Sequence, residues 1–319
     1  MVQIDPSKPA ILGGQPVKRT PWPQWPFVTE EDIQRVNDVL RSGKWNRSSY
    51  PEGSDESYVV RFEKSFADAH KVKHVVACAN GTAAIEIASK AAGLLPGQEV
   101  IVPAYTFVAT ATSVLQVGGL PVFADVDPDT YNLDVASAEK LITPNTRAIV
   151  AVHMAGRPFD VDAVCEFARK HHLLLIEDGA QSVGASWKGT PTGNFGIAGT
   201  FSFQNSKNVA SGEGGAVVTN DESIAEMAYS LHHIGRKKGR PFYEHHYSCW
   251  NYRITELQAA ILLGQMQRLE EQTKLRNENG KYLNRLLSEI EGIHVPPDDP
   301  RITSHGYHLY LFRIHSESF

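Results

Sequence analysis

The stretch Gly199-Thr-Phe-Ser-Phe-Gln-Asn-Ser-Lys-Asn-Val-Ala-Ser-Gly-Glu-Gly-Gly-Ala-Val-Val-Thr-Asn220 decides how the chain is read. An apolar run, Thr200 to Phe203, enters a polar loop with one lysine, Lys207. Glycines at 212, 214 and 215 then precede a second apolar run, Ala216 to Thr219. The pattern predicts two strands joined by a loop. A lysine in such a place is ordinarily a solvated side chain on a hairpin. Ser202 and Ser206 close by, with glycines that let backbone approach a ligand, open a second reading: an amine able to form a Schiff base with a carbonyl cofactor.

Upstream of this stretch the pattern alternates. Strands are expected at 75–79, 99–102, 121–126, 148–153 and 173–177, with helices at 82–92, 109–117, 160–171 and from an Asp134 cap to Ile142. Repeated strand and helix of this kind predicts an α/β fold: a mostly parallel sheet with helices on both faces and its site at the carboxyl ends of the strands. Before the sheet, residues 1–28 are rich in proline and read as an extended arm with Trp22 and Trp25 as anchors. Thr29 and Asp32 open a helix that Gly43 stops, and a second helix covers 58–70. Beyond the lysine stretch, Asp221 opens a helix to about 234, and a basic and aromatic loop follows at 235–250. A long helix is expected from Thr255 toward Ile290, and 307–315 alternates like a strand. Three parts are therefore expected: an arm over 1–28, a large domain over 29–254, and over 255–319 the start of a smaller C-terminal domain that continues past the last residue given.

Bulk properties narrow the function classes. With 319 residues, 42% hydrophobic and 21% charged, the chain can bury a large core, and a net charge of −5 gives no electrostatic case for nucleic acid or an anionic membrane. The uncharged run from Val100 to Ala124 is long enough to span a bilayer, but Pro103, Gly118, Gly119 and its threonines fit strand, helix and strand better. The start of the chain does not read as a signal peptide, so a cytoplasmic protein is expected. Cys78, Cys165 and Cys249 lie far apart, which argues against a disulfide framework or a zinc ribbon. The pairs His171-His172, His232-His233 and His245-His246 read as solvated histidines rather than metal ligands, because adjacent helical side chains do not face one point.

Three loops at strand ends carry chemistry. Asn80-Gly81-Thr82-Ala83 opens a helix, where free N–H groups and the helix dipole would hold a phosphate; the same residues also suit a plain capped turn. Glu177-Asp178-Gly179-Ala180-Gln181 delivers carboxylates to the end of an apolar strand. Asp178 there is either a helix cap or the partner of a cation such as a protonated pyridine nitrogen. Tyr105-Thr106-Phe107 offers an aromatic face for a flat ring, or a core aromatic. The third loop is the one with Lys207.

Taken with Val-Pro-Ala-Tyr-Thr-Phe-Val-Ala-Thr-Ala at 102–111, Asp-Val-Asp-Pro-Asp-Thr-Tyr-Asn at 125–132, Gly-Glu-Gly-Gly-Ala-Val at 212–217 and Trp-Asn-Tyr-Arg-Ile-Thr-Glu-Leu-Gln-Ala-Ala at 250–260, the chain resembles the DegT/DnrJ/EryC1/StrS family of pyridoxal-phosphate-dependent sugar aminotransferases. The resemblance implies a fold type I transferase with Lys207 as the Schiff-base lysine and Asp178 as the partner of the pyridine nitrogen. It implies Gln181 beside the ring oxygen, Phe107 stacked on the ring, and Gly81, Thr82 and Ser202 at the phosphate of pyridoxal 5'-phosphate. It also implies a homodimer in which Asn251 reaches the partner's site. The chain departs from the family pattern at Gly179, Ile197 and Val209-Ala210, where relatives carry alanine, an acidic residue and Leu-Thr. The activity implied is transfer of an amino group from glutamate or glutamine to a keto-sugar, nucleotide-linked, with a keto-cyclitol as the alternative acceptor. A non-catalytic pyridoxal-binding regulator would need a DNA-binding segment, and no basic helix-turn-helix is visible. A nicotinamide enzyme would need G-x-G-x-x-G, which Gly212 to Val217 does not supply.

Overall fold

Successive residues of the strands divide between two apolar layers, which is what a sheet covered on both faces requires. Val76, Val100, Val102, Val150, Ile176 and Val217 pack in one layer. Their neighbours Ala77 and Val218, and Ile101, Ile149 and Leu175, pack on the other side. The computed structural model of the chain describes residues 8–318.

In chain order, α1 (Glu30–Ser42) and α2 (Tyr58–His70) precede β1 (His74–Cys78), α3 (Gly81–Ala91), β2 (Glu99–Pro103), α4 (Ala109–Gln116) and β3 (Leu120–Ala124). Next come α5 (Val135–Glu139), β4 (Thr146–Val152), α6 (Val161–Lys170) and β5 (Leu174–Asp178). A small hairpin, β6 (Ser186–Trp187) and β7 (Thr190–Pro191), leads to β8 (Ala198–Ser202) and β9 (Gly215–Thr219). The chain then runs through α7 (Glu222–His232), α8 (Glu256–Gln267), α9 (Leu269–Leu287), β10 (Ile293–His294), β11 (Ile302–Ser304) and β12 (Arg313–Ile314).

The central sheet has seven strands in the order β1-β9-β8-β5-β4-β2-β3. The run from β8 to β3 is parallel, whereas β9 is antiparallel to both β8 and β1. This reversal places the amino end of β9 beside the carboxyl ends of its neighbours: Gly215 pairs with Ser202 and with Cys78. The loop 203–214 must therefore lie on the rim where β5 ends at Asp178. Both runs of the opening stretch are strands, as their apolar pattern requires.

Element starts follow their caps. Thr29 and Asp32 form a reciprocal capping box, Gly43 ends α1 with φ of 65°, and Asp134, Asp160 and Asp221 cap α5, α6 and α7. Four expectations are corrected. The helix expected from Thr255 to Ile290 is two helices, broken at Arg268, whose guanidinium donates to Asp32 at 2.8 Å. The helix after Asp134 stops at Glu139. The alternating stretch 307–315 is a strand only at Arg313–Ile314, because Tyr307 has a left-handed φ of 43° and His308 donates to the Ala155 carbonyl instead of a ladder. His232 and His233 are buried rather than solvated, His232 completely, and burial pushes the His233 imidazole down to about 4.

The expected arm falls partly outside the described residues, at 1–7. From 8 to 28 the chain is largely exposed; near its end the Trp25 and Phe27 rings lie against Arg276 and Arg268, and the Phe27 carbonyl accepts from Gln265 Nε2 at 3.1 Å. Among the described residues no helix is long and apolar enough to cross a membrane, and no group of three or more His, Cys, Asp or Glu could hold a metal.

Helix α1 is locked onto α8 by one carboxylate. Asp32 is 2% exposed and accepts from Thr29 N, Arg35 and Arg268, and it sits so close over Gly264 that a Cβ there would lie 1.8 Å from its Oδ1. Burial works to raise the pKa of this carboxyl, but the Thr29 and Arg268 hydrogen bonds outweigh it and hold it below the ordinary value of 3.8. A depressed carboxyl stabilises the fold above its unfolded pKa, and that contribution disappears as pH falls through its folded pKa. Asp32→Asn is therefore expected to lose about 3 kcal/mol in urea unfolding at pH 7, with the gap from wild type closing as the pH is lowered below about 4.

Candidate active site

On the rim of the sheet lies a cavity of about 820 Å³, within the size range of a cofactor site. Gly81, Thr82, Phe107, Asp178, Gln181, Ser202 and Lys207 all line it. They come from the start of α3, the loop after β2, the end of β5, the end of β8 and the loop before β9. Asn251 does not line this cavity; it lies exposed on the strand-like approach to α8 and forms an isolated bridge with His233.

At one end, α3 offers its amino terminus. Asn80 caps the helix by accepting from Ala83 N at 2.8 Å, which leaves the N–H groups of Gly81 and Thr82 without partners among the described residues. The approach of β8 explains the glycine: a Cβ at position 81 would lie 2.6 Å from Ser202 Cβ. Two free amides, a hydroxyl and the positive end of a helix dipole suit a phosphate.

At the other end, β5 delivers two consecutive carboxylates to opposite faces. Glu177 is fully buried and accepts from Gly193 N, Phe195 N, Gly196 N and His153 Nε2 at 2.6 to 3.0 Å. His153 Nδ1 faces the Phe159 N–H, so Nε2 carries the proton given to Glu177. Asp178, 5% exposed, ends the strand and is not a helix cap; the helix-cap alternative is thereby removed. Its Oδ2 accepts from Thr110 Oγ1 at 2.7 Å and its Oδ1 from Ala180 N at 3.1 Å. No cation lies within hydrogen-bonding distance among the described residues, and a carboxylate so buried is suited to one that binds in the cavity.

Lys207 stands across from it. Its ammonium makes no hydrogen bond or ion pair among the described residues, burial lowers its pKa, and the Asp178 charge partly opposes that shift. The loop carrying it is fixed: Asn205 N donates to Gly212 O, Ser211 N to Phe203 O, and Asn208 Nδ2 to Gly306 O at 2.6 Å. Gln181 Oε1 accepts from Ala155 N at 2.6 Å, which commits the oxygen and leaves the amide NH₂ to donate elsewhere. Phe107 is 66% exposed, so it is no core aromatic, and its ring borders the cavity.

Two features of the site were not visible in the sequence. Thr110, fully buried behind the cavity, hides in the repetitive Ala-Thr-Ala-Thr of α4, and its role depends on its hydrogen bond to Asp178 at the end of β5. His308 arrives from a stretch that reads as a strand. Of the departures from the family pattern, Gly179 faces Phe201, whose ring edge would lie 2.8 Å from an added Cβ, and Val209 and Ala210 are buried core. Ile197 packs against the core layer of α3 and α4. None of the three touches the cavity.

Comparison with known proteins gives the same reading. The family model for the DegT/DnrJ/EryC1/StrS aminotransferase family matches residues 26–319. The chain is 39% identical over 320 residues to an L-glutamine:2-deoxy-scyllo-inosose aminotransferase of Streptomyces kanamyceticus, covering 98% of this chain and 74% of that protein. It is 41% identical over 257 residues to a GDP-perosamine synthase of Caulobacter vibrioides, covering 81% and 69%. The fold matches that of a 3-amino-5-hydroxybenzoic acid synthase with a TM-score of 0.87 and 36% identity, over 93% of this chain and 76% of that one. With its lysine, its acid and its helix terminus on one cavity, the chain belongs to the DegT/DnrJ/EryC1/StrS aminotransferase family, whose cofactor is pyridoxal phosphate.

Proposed function

We propose that this aminotransferase moves the amino group of glutamine or glutamate to the ketone of a polyhydroxylated ring. The observation that carries the reading is the placing of Lys207 and Asp178 on one cavity closed by the α3 terminus. When bound, pyridoxal phosphate supplies the carbonyl that captures the amino group and the ring that delocalises the electron pair left by a departing proton. Asp178, held by Thr110, would keep a proton on the ring nitrogen. Gln181 would donate its amide to the ring oxygen, Phe107 would cover one face, and the Gly81 and Thr82 amides with Ser202 would hold the phosphate. Lys207 Nζ, kept easier to deprotonate by burial, takes the proton from the donor's α-carbon and returns one to the acceptor's carbon.

The relatives support two acceptor classes. A nucleotide-linked keto-sugar is the counterpart of the perosamine synthase, and a keto-cyclitol that of the inosose aminotransferase. The longer match, 98% of the chain against 81%, favours the cyclitol. Assays of both ketones with glutamine and glutamate separate them. The protein is further proposed to work in the cytoplasm as a homodimer, with Asn251 entering the partner's site from its exposed position and residues 255–319 opening a smaller second domain.

Two variants test the assignments. Lys207→Ala is expected to abolish turnover and the visible absorption band that borohydride bleaches in the wild type; full activity in this variant would refute the role. Thr110→Val keeps the side-chain shape but leaves Asp178 Oδ2 without its donor. A charge-assisted hydrogen bond of about 1.5–3 kcal/mol predicts a loss of roughly 10- to 100-fold in the single-turnover rate with glutamine, with an unchanged near-UV circular dichroism spectrum.

A further inference from the structure

The loop 235–250 gathers cations that the site described above does not use: Arg236, Lys237, Lys238 and Arg240, against the one carboxylate of Glu244. The loop is fastened rather than loose. Ile234 enters it with a left-handed φ of 59°, rare for a β-branched residue, and Gly235 follows at 74°. His246 N donates to the Gly235 carbonyl at 2.8 Å, and Ile234 N to the Trp250 carbonyl at 3.3 Å. A Cβ at position 235 would lie 2.2 Å from the Tyr247 carbonyl oxygen, so glycine is what lets the two ends of the loop meet. The closed loop reaches residues 47–53, where Gly239 N donates to Glu52 Oε2 at 3.2 Å.

Between these two segments lies a pocket of about 160 Å³, with Arg47, Glu52, His233, Arg236, Lys237 and Arg240 in its lining. It shares no lining residue with the cofactor cavity. Its volume is well under the roughly 300 Å³ at which sites for whole small molecules begin, which suits a single compact group. The Arg47 charge is answered by Glu63 at 2.9 Å. Arg236, Lys237 and Arg240 have no carboxylate within ion-pair distance among the described residues, and Arg236 Nε is buried without a partner. The Phe242 ring, its centroid 3.7 Å from Arg236 Cζ, steadies that guanidinium. Glu52 is the single carboxylate in the lining. The neighbours feel the surplus: His233 is pushed down to about 4 by burial and then by Arg253, Arg236 and Arg47, and Arg253 is lowered by burial and then by Arg236. Cations gathered this closely repel one another until an anion joins them, and arginine takes phosphate oxygens through paired N–H groups.

We propose that this pocket is a phosphate-binding site, separate from the α3 terminus, in which Arg236 and Arg240 take the oxygens of one phosphate or diphosphate group. Lys237 adds to the positive field and Glu52 limits it. The site does not depend on the aminotransferase reading. Its anion comes either free in solution or as the diphosphate of a nucleotide-linked molecule, and the two sources differ in what accompanies the charge.

The test uses the full chain saturated with pyridoxal phosphate, so that the α3 terminus is already filled. Inorganic phosphate, pyrophosphate and guanosine diphosphate are titrated at constant ionic strength, by calorimetry and by the rise in melting temperature. Pyrophosphate is expected to bind wild type at one site per chain and to raise its melting temperature. In Arg236→Gln and in Arg240→Gln its affinity falls about 10-fold or more, the worth of a charged hydrogen bond. Arg240 is exposed, so its replacement leaves the fold intact. Glu52→Gln keeps an acceptor for Gly239 N and removes the opposing charge, so affinity rises by about threefold, a change that a merely structural role for Glu52 would not produce. Guanosine diphosphate bound more tightly than pyrophosphate assigns the pocket to a nucleotide-linked ligand; the reverse order assigns it to the free anion. No binding of pyrophosphate by wild type, or equal affinity in wild type and Arg240→Gln, would overturn the site.

Discussion

The structure depends on how β5 disposes of two carboxylates away from water. Glu177 and Asp178 are consecutive, so the pleat sends them to opposite faces, and each meets a different solution to the same desolvation cost. Glu177 is satisfied wholly from within: three backbone amides of the 193–196 turn and one imidazole surround it. It thereby ties the loop before β8 to the strand beside it, and so sets where β8 and the lysine loop begin. Asp178 is satisfied only in part, by one hydroxyl and one amide. What the first carboxylate does for the scaffold, the second leaves open for a cofactor.

The antiparallel β9 in an otherwise parallel sheet brings further groups to the same rim. A parallel β9 would bring its loop to the opposite edge, far from Asp178. The reversal pairs Gly215 with both Ser202 and Cys78 and puts helix terminus, acid and amine around one hollow. The sheet thus collects groups from positions 81 to 207 without any one segment having to reach far.

Much of this was legible in the residues themselves. The alternation of apolar runs and helical periods marks every strand of the main sheet to within a few residues, and Thr29, Asp134, Asp160 and Asp221 mark the starts of their helices. Lys207, Asp178 and Gly81 stand out because each is an unusual residue type at a strand end. The rest is tertiary. Nothing local in Leu-Leu-Gly-Gln-Met-Gln-Arg-Leu-Glu breaks a helix at Arg268; the break answers to Asp32, 236 residues away. Thr110 is one of two threonines in its helix, told apart only by what it faces. His308 is ordinary in sequence and becomes notable because its Nδ1 is buried without a partner among the described residues, beside the cavity.

The bond from the Asn208 side chain to the Gly306 carbonyl joins the residue after the lysine to the segment two residues before His308. With backbone bonds also pinning both sides of the lysine loop, the main chain there acts as a fixed mount. The side chain of Lys207 leaves this mount for the cavity with no hydrogen bond of its own among the described residues. The seat of the amine and the 304–308 segment therefore share one anchor, and a displacement of either is felt by the other.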